Sequence, residues 1–252
     1  MKALITGASS GIGREFALYL AELGYDLIIC ARSTDKLNAL KDEIKNVNVR
    51  VITIDLSHEV DAIDLYEHLR EEDIDVLINN AGFGAFGKFL DVPLERELEL
   101  IHTNVSSLHI LTKRFLKDMN EKGSGLILNV GSMAGFSAGP KLSSYYASKN
   151  YVVRLTQAIH EELRRDGSKV KISVLCPGPV DTNFNNVANV KFSAKGLKPR
   201  DVARYAFDKA RQGKVIIIPG FAMKAVKFFE RFLPENTLTK VSYNVQSKKD
   251  GN

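Results

Sequence analysis

A short apolar run, Lys2-Ala3-Leu4-Ile5-Thr6, leads without a break into Gly7-Ala8-Ser9-Ser10-Gly11-Ile12-Gly13. Beyond the glycines, Phe16, Ala17, Leu20 and Leu23 recur at helical spacing until Gly24. This reads strand, glycine loop, helix. Glycines permit a tight turn and remove the Cβ atoms that would hold a ligand away from the backbone. The loop also delivers the chain to a helix N-terminus, where free N–H groups favour an anion. In a β-α-β unit this spacing predicts a cradle for a dinucleotide pyrophosphate at Gly7, Ser9, Ser10, Gly11, Ile12 and Gly13.

The rest of the chain repeats the alternation. Strands are expected at 26–30, 49–54, 75–78, 126–130, 170–175 and 215–218, and helices at 35–45, 60–69, 93–119, 144–165 and 198–211. The strands are β-branched and almost continuously apolar, as in parallel sheets covered by helices on both faces. The expected fold is α/β: a single-domain, doubly wound Rossmann fold with a seven-stranded parallel sheet over residues 1–220. A substrate lid is expected at about 183–197, where Lys191 and Lys195 are candidates to meet an acidic carrier. Residues 221–252 are expected to form a C-terminal amphipathic helical extension. In its first part Lys224, Lys227, Glu230 and Arg231 gather on one side, Phe221, Ala225, Phe228, Phe229, Phe232 and Leu233 fill the rest, and Pro234 ends the run. Such a helix is expected to dock on its own domain or on a partner subunit, with a membrane surface as the alternative.

Composition narrows the class. At 252 residues, 44% hydrophobic and 26% charged, the chain is in the globular range. Cys30 and Cys176 sit in separate apolar runs, which predicts buried free thiols and no disulfide framework; without C-x-x-C spacing, no metal is expected. The first strand begins at Lys2, which leaves no room for a leader, so a cytoplasmic protein is expected. Residues 191–252 carry 14 Lys/Arg against 5 Asp/Glu. These cations are scattered without interleaved aromatics, which argues for a solvated surface and against nucleic acid.

Two local arrangements point to chemistry. Tyr145 and Lys149 stand four residues apart, on one face of a helix. A phenol is a poor acid or base at neutral pH, and an adjacent ammonium is expected to lower its pKa. The second strand ends Cys30-Ala31-Arg32-Ser33, with no carboxylate to hold a ribose 2′-hydroxyl. Arg32 there suits a 2′-phosphate, with Ser9 and Ser33 as further donors, so NADP(H) is expected in preference to NAD(H).

Thr6-Gly7-Ala8-Ser9-Ser10-Gly11-Ile12-Gly13, Asp55, Asn79-Asn80-Ala81-Gly82, Asn104, Ser132, Tyr145-x-x-x-Lys149 and Pro177-Gly178-Pro179-Val180-Asp181-Thr182 together resemble the short-chain dehydrogenase/reductase family, single-domain branch. The resemblance covers roughly residues 1–220 and implies a carbonyl reductase. In that reading Ser132 and Tyr145 hold the substrate carbonyl, Tyr145 donates the proton, Lys149 tunes Tyr145 and binds the nicotinamide ribose, and Asn104 holds a relay water. The 13-residue interval from Ser132 selects Tyr145 over Tyr146, which points about 100° further round the helix. The resemblance further implies cofactor contacts at Asp55, Leu56, Asn80, Ala81, Gly82, Pro177, Gly178, Val180 and Thr182. Asn79 reads as a structural tie between strand ends.

An apolar substrate pocket is expected from Phe83, Phe86, Met133, Phe136, Leu142, Phe184 and Val187, fitting a lipophilic ketone, aldehyde or 3-oxoacyl group. Hydroxysteroids and 3-oxoacyl thioesters are both open as substrates. Family members commonly pack two long helices across a two-fold axis, which implies a homodimer or homotetramer. Two other readings stay open: a non-catalytic NADP(H) sensor or scaffold, against which the intact Ser132, Tyr145 and Lys149 set speaks, and an epimerase or dehydratase.

Overall fold

The computed structural model describes residues 1–182 and 196–247. The expected lid, with Phe184, Val187, Lys191 and Lys195, therefore lies outside the described residues, apart from Gly196 and Leu197. The strands are β1 Lys2–Thr6, β2 Asp26–Ala31, β3 Val49–Thr53, β4 Val76–Asn79, β5 Leu126–Val130, β6 Lys171–Leu175 and β7 Ile216–Ile217. They form one seven-stranded sheet in the order β3-β2-β1-β4-β5-β6-β7, every pairing parallel. The helices are α1 Gly11–Glu22, α2 Thr34–Glu43, α3 Glu59–Leu69, α4 Leu94–Ile101, α5 Leu108–Lys122, α6 Ser143–Arg165, α7 Pro199–Arg211, α8 Phe221–Glu230 and α9 Glu235–Ser247.

The two-residue period of a strand explains why the runs are apolar throughout. In β1, Ala3 and Ile5 enter one core with Phe16 and Leu20 of α1 and Val202 and Phe207 of α7. Leu4, between them, enters the opposite core with Leu65 of α3 and Phe115 of α5. Leu27 and Ile29 of β2 likewise face one core, and Ile28 and Cys30 the other. Both cysteines are buried and free, as expected.

Strand order reverses between β1 and β4, and ligands of such sheets bind in the crevice at the strand ends there. A buried polar tie fixes this edge. Asn79 Nδ2 donates to Thr112 Oγ1 at 3.0 Å and to Asn129 Oδ1 at 2.9 Å, and Asn129 Nδ2 donates to Thr156 Oγ1 at 3.0 Å. Asn79 thus joins β4 and β5 to the helices behind them.

Three features depart from expectation. The helix expected at 93–119 is broken by a π-helical turn, His102–Ser107, that carries Asn104. Ser33-Thr34 before Asp35 reads as a cap of the following helix, but Ser33 occupies the N-cap of α2 without a side-chain cap bond and faces the cleft. The C-terminal extension holds a second helix, α9, and both of its helices lie over the cleft. Among the described residues no helix is long and apolar enough to cross a membrane.

Candidate active site

A cleft of about 970 Å³ runs along the strand ends at the β1/β4 reversal. Its floor at one end is the glycine loop. Gly7 adopts φ +66° and Gly11 φ +56°, conformations that favour glycine. A Cβ on Gly13 would meet Asn80 Nδ2 at 2.3 Å and Gly7 O at 2.4 Å. Gly13 does not line the cleft; its bareness lets α1 pack against the loop. Ser10 caps α1 without a side-chain bond, and the first turn carries no acid. The helix N-terminus is therefore left with its partial positive charge toward the cleft.

Asn80 clamps the loop. Its Nδ2 donates to Thr6 O and Gly7 O, both at 3.0 Å, and its backbone N donates to Thr6 Oγ1 at 3.0 Å. Both amide hydrogens are thus committed to the protein. Asn80 is a positioning residue whose Oδ1 alone is left for a ligand. Ala81, Gly82, Leu56, Pro177, Gly178, Val180 and Thr182 also line the cleft. Thr182 approaches closely enough that a Cβ on Gly11 would lie 3.1 Å from its Cγ2.

Arg32 and Asp55 flank the mouth of the loop end, 3.7 Å apart and both well exposed. Burial works to raise the Asp55 carboxyl, but hydrogen bonds from Ser57 outweigh it, with smaller help from Arg32 and His58, and hold the carboxyl below its ordinary range. The backbone bond, Ser57 N to Asp55 Oδ1 at 3.0 Å, closes a turn just before α3. An exposed pair of this kind is worth about 0–1 kcal/mol, so little holds Arg32 to Asp55. Lys36, one turn into α2, lines the same corner. Its spacing from Arg32, i to i+4, was the available signal, and the residue was missed.

Three of the four catalytic candidates, Ser132, Tyr145 and Lys149, line the middle of the cleft, and Asn104 is buried outside it. Ser132 caps a 3₁₀ turn, Met133–Phe136, its Oγ accepting from Ala134 N at 3.1 Å. The Tyr145 hydroxyl is hydrogen-bonded to Ser132. Lys149, 5% exposed, donates from Nζ to Val130 O at 2.8 Å and lies 5.8 Å from the Tyr145 ring centre. Burial pushes the Tyr145 phenol up to about 12, the bond to Ser132 only partly opposing it, and pulls Lys149 down to about 8. The expectation that Lys149 lowers the Tyr145 pKa is thus not met here. Desolvation dominates, because both groups are enclosed and the ammonium points to a carbonyl. Near neutral pH this leaves a protonated phenol, the form that can give up a proton to a carbonyl, beside a largely charged lysine.

Asn104 is fully buried, and its side chain is committed. Oδ1 accepts from Phe83 N at 3.0 Å, and Nδ2 donates to Phe83 O at 2.9 Å and Ser148 Oγ at 3.1 Å. It fixes the loop after β4 to α6. Gly82 sits against it: a Cβ there would fall 2.8 Å from Asn104 Oδ1 and 3.4 Å from Lys149 Nζ.

On the substrate side, Phe83, Met133 and Leu142 line the cleft. Phe86 and Phe136 do not. The Phe136 ring packs with Val152 and Val153 and lies 4.0 Å beneath Lys227 Nζ. Most of this wall comes instead from Tyr146, from Met223, Val226, Phe229 and Leu233 in and after α8, and from α9. Close approach of α8 depends on Gly178, where a Cβ would meet Met223 Sδ at 2.6 Å. Phe221, Phe229 and Phe232 remain mostly exposed around the mouth. Among the described residues no cluster of three His, Cys, Asp or Glu is arranged to hold a metal.

A family model described as short chain dehydrogenase matches residues 1–191. Human 17-beta-hydroxysteroid dehydrogenase type 3 is 34% identical over 203 residues, 77% of this chain; the match spans 63% of that relative's length. A short-chain dehydrogenase from Sphingobium yanoikuyae, solved in complex with NADPH, superposes with a TM-score of 0.82 at 29% identity, covering 92% of this chain and 94% of that one. A short chain dehydrogenase/reductase from Burkholderia phymatum, solved with NAD, gives a TM-score of 0.82 at 26% identity over 93% of this chain and 95% of that one. Nicotinamide dinucleotides of both kinds are thus bound by neighbours of this fold.

Proposed function

The chain belongs to the short chain dehydrogenase family, and from that premise we propose that it reduces a carbonyl on a lipophilic ketone, aldehyde or 3-oxoacyl compound, reversibly, with NADP(H) preferred over NAD(H). The observation that carries the reading is the convergence of Ser132, Tyr145 and Lys149 on one cleft with the glycine loop. The cofactor supplies the hydride. Gly7, Ser9, Ser10, Gly11 and Ile12 hold its pyrophosphate end, Arg32, Ser33 and Lys36 the 2′-phosphate, and Lys149 the ribose nearest the reaction. Ser132 and Tyr145 orient the carbonyl oxygen, and the Tyr145 hydroxyl gives it a proton. Lys149 keeps positive charge beside the phenolate so formed, which lowers the cost of that charge in an enclosed site. Asn104 fixes the Phe83 loop and, with Gly82, bounds the space through which a relay water reaches Lys149. Residues 1–220 act as the catalytic unit, and 221–252 as its substrate-side cover. Exposed Leu94, Leu98, Ile101 and Tyr151 on α4 and α6 favour a homo-oligomer through these helices.

The test is cofactor oxidation, with alcohol product measured, against a panel of bulky ketones, aldehydes, 3-oxoacyl thioesters and ketosteroids. Turnover of apolar ketones with NADPH is expected, and no alcohol from any carbonyl would overturn the reading. In the same assay Arg32→Ala should narrow the NADPH-over-NADH ratio in kcat/KM by about tenfold, the scale of one hydrogen bond to a charged group. Combining it with Lys36→Ala should narrow the ratio further. An unchanged ratio in the double variant would remove both residues from 2′-phosphate binding.

A further inference from the structure

The cleft wall built by α8 and α9 is apolar except at one place. Glu230 and Gln246 face the cavity there, beside Tyr146 and Ser242. Gln246 is 2% exposed, and its Nε2 donates to the Tyr146 hydroxyl at 2.7 Å. Ser242 lies close to the same hydroxyl. Yet Gln246 Oε1 is buried with no hydrogen-bond partner, and Glu230 Oε2, also without a hydrogen bond, has only an ion pair to Lys227 Nζ at 3.6 Å. Both orphaned atoms are acceptors, and buried acceptors are ordinarily paired. The cluster adjoins the reaction centre, since the Tyr146 and Tyr145 rings are 6.3 Å apart and nearly perpendicular.

We propose that Glu230 and Gln246 form a subsite for a hydroxyl carried by the substrate away from its carbonyl, so that the substrate class is an apolar hydroxy-ketone and its diol product. This rests on the oxidoreductase reading above and narrows it. Two acceptors without a hydrogen bond call for a donor. Lys224 and Lys227 of α8 and Arg231 at its end disfavour an ammonium as that donor. A hydroxyl donates without bringing charge, and a water bridge can serve the second acceptor. Burial raises the Glu230 carboxyl, and Lys227 only partly opposes it.

The test compares 2-alkanones with ω-hydroxy-2-alkanones of the same chain length, from seven to thirteen carbons. Binding to the NADP-loaded protein is measured by calorimetry, and kcat/KM by NADPH oxidation. At one preferred length the hydroxy-ketone should bind about ten- to hundredfold tighter than its parent. Glu230→Leu and Gln246→Leu should each shrink that ratio and raise affinity for the plain ketone, a crossover that loosened packing would not produce. Glu230→Gln, which keeps an acceptor, should retain part of the preference. Equal binding of both series at every length, meaning acceptors served by water alone, overturns the proposal. If neither series is turned over, the reductase reading fails on its own, and the binding comparison still decides the subsite.

Discussion

Tyr145→Phe is expected to lower carbonyl reduction by about 10²–10⁴-fold, the usual worth of a positioned proton donor, while NADPH still binds. The substitution removes one oxygen and leaves the ring that meets Tyr146 edge-on at 6.3 Å. The oxygen lost is the one bonded to Ser132. Neither the glycine loop nor the Arg32 corner touches it, so a fluorescence titration with NADPH should give an affinity close to that of the parent protein. Residual turnover within about tenfold of the parent would remove Tyr145 from the donor role, since even the low end of the usual range exceeds that.

Gly13→Ala is expected to cost about 1–3 kcal/mol of stability, the scale of overpacking, and to weaken NADPH binding sharply. Helix propensity alone predicts the reverse, because alanine is favoured over glycine inside a helix by about 1 kcal/mol. Geometry decides between them. The added methyl would stand 2.3 Å from Asn80 Nδ2 and 2.4 Å from Gly7 O. Neither neighbour can yield cheaply: Asn80 Nδ2 is held by Thr6 O and Gly7 O, and moving it unclamps the cofactor loop from the end of β4. Thermal unfolding should show a midpoint lower by several degrees. A midpoint unchanged or raised, with NADPH affinity intact, would mean that the loop packs less tightly on α1 than described.

What could be read from the chain in advance was what is local or periodic. The glycine loop is seven consecutive residues, and the sheet announces itself through near-continuous apolar strands. Tyr145 and Lys149 share a helix face by arithmetic. The substrate wall was not legible, because it depends on packing between distant segments. Met223 reaches the cleft only because Gly178, 45 residues earlier, lacks a side chain. A helical extension is legible from Phe221 on, but that its second helix, α9, lies over the cleft is set by packing. Phe136, apolar and close in sequence to Ser132, reads as pocket but packs against the core cluster that holds Val152 and Val153 of α6. Tyr146 was set aside because it points away from the acid's direction; that same direction makes it part of the substrate wall. The π turn at Asn104 was hidden for another reason. Its residues fit the helical pattern on either side, and only the amide's bonds to the Phe83 backbone reveal why the turn is widened there.

The central claim is that a protonated Tyr145 acts beside a charged Lys149, and the pH dependence of reduction tests it most directly. Lys149 is pulled down to about 8 by burial, so its charge is present below that pH and lost above it, whereas Tyr145, pushed up to about 12, keeps its proton throughout. The value of kcat/KM for NADPH reports the free protein. It should stay level from pH 6 to about 8 and fall roughly tenfold for each further unit as Lys149 becomes neutral. A rate that rises through pH 8 to 10 would show that reduction does not need the lysine's charge, and would contradict the account.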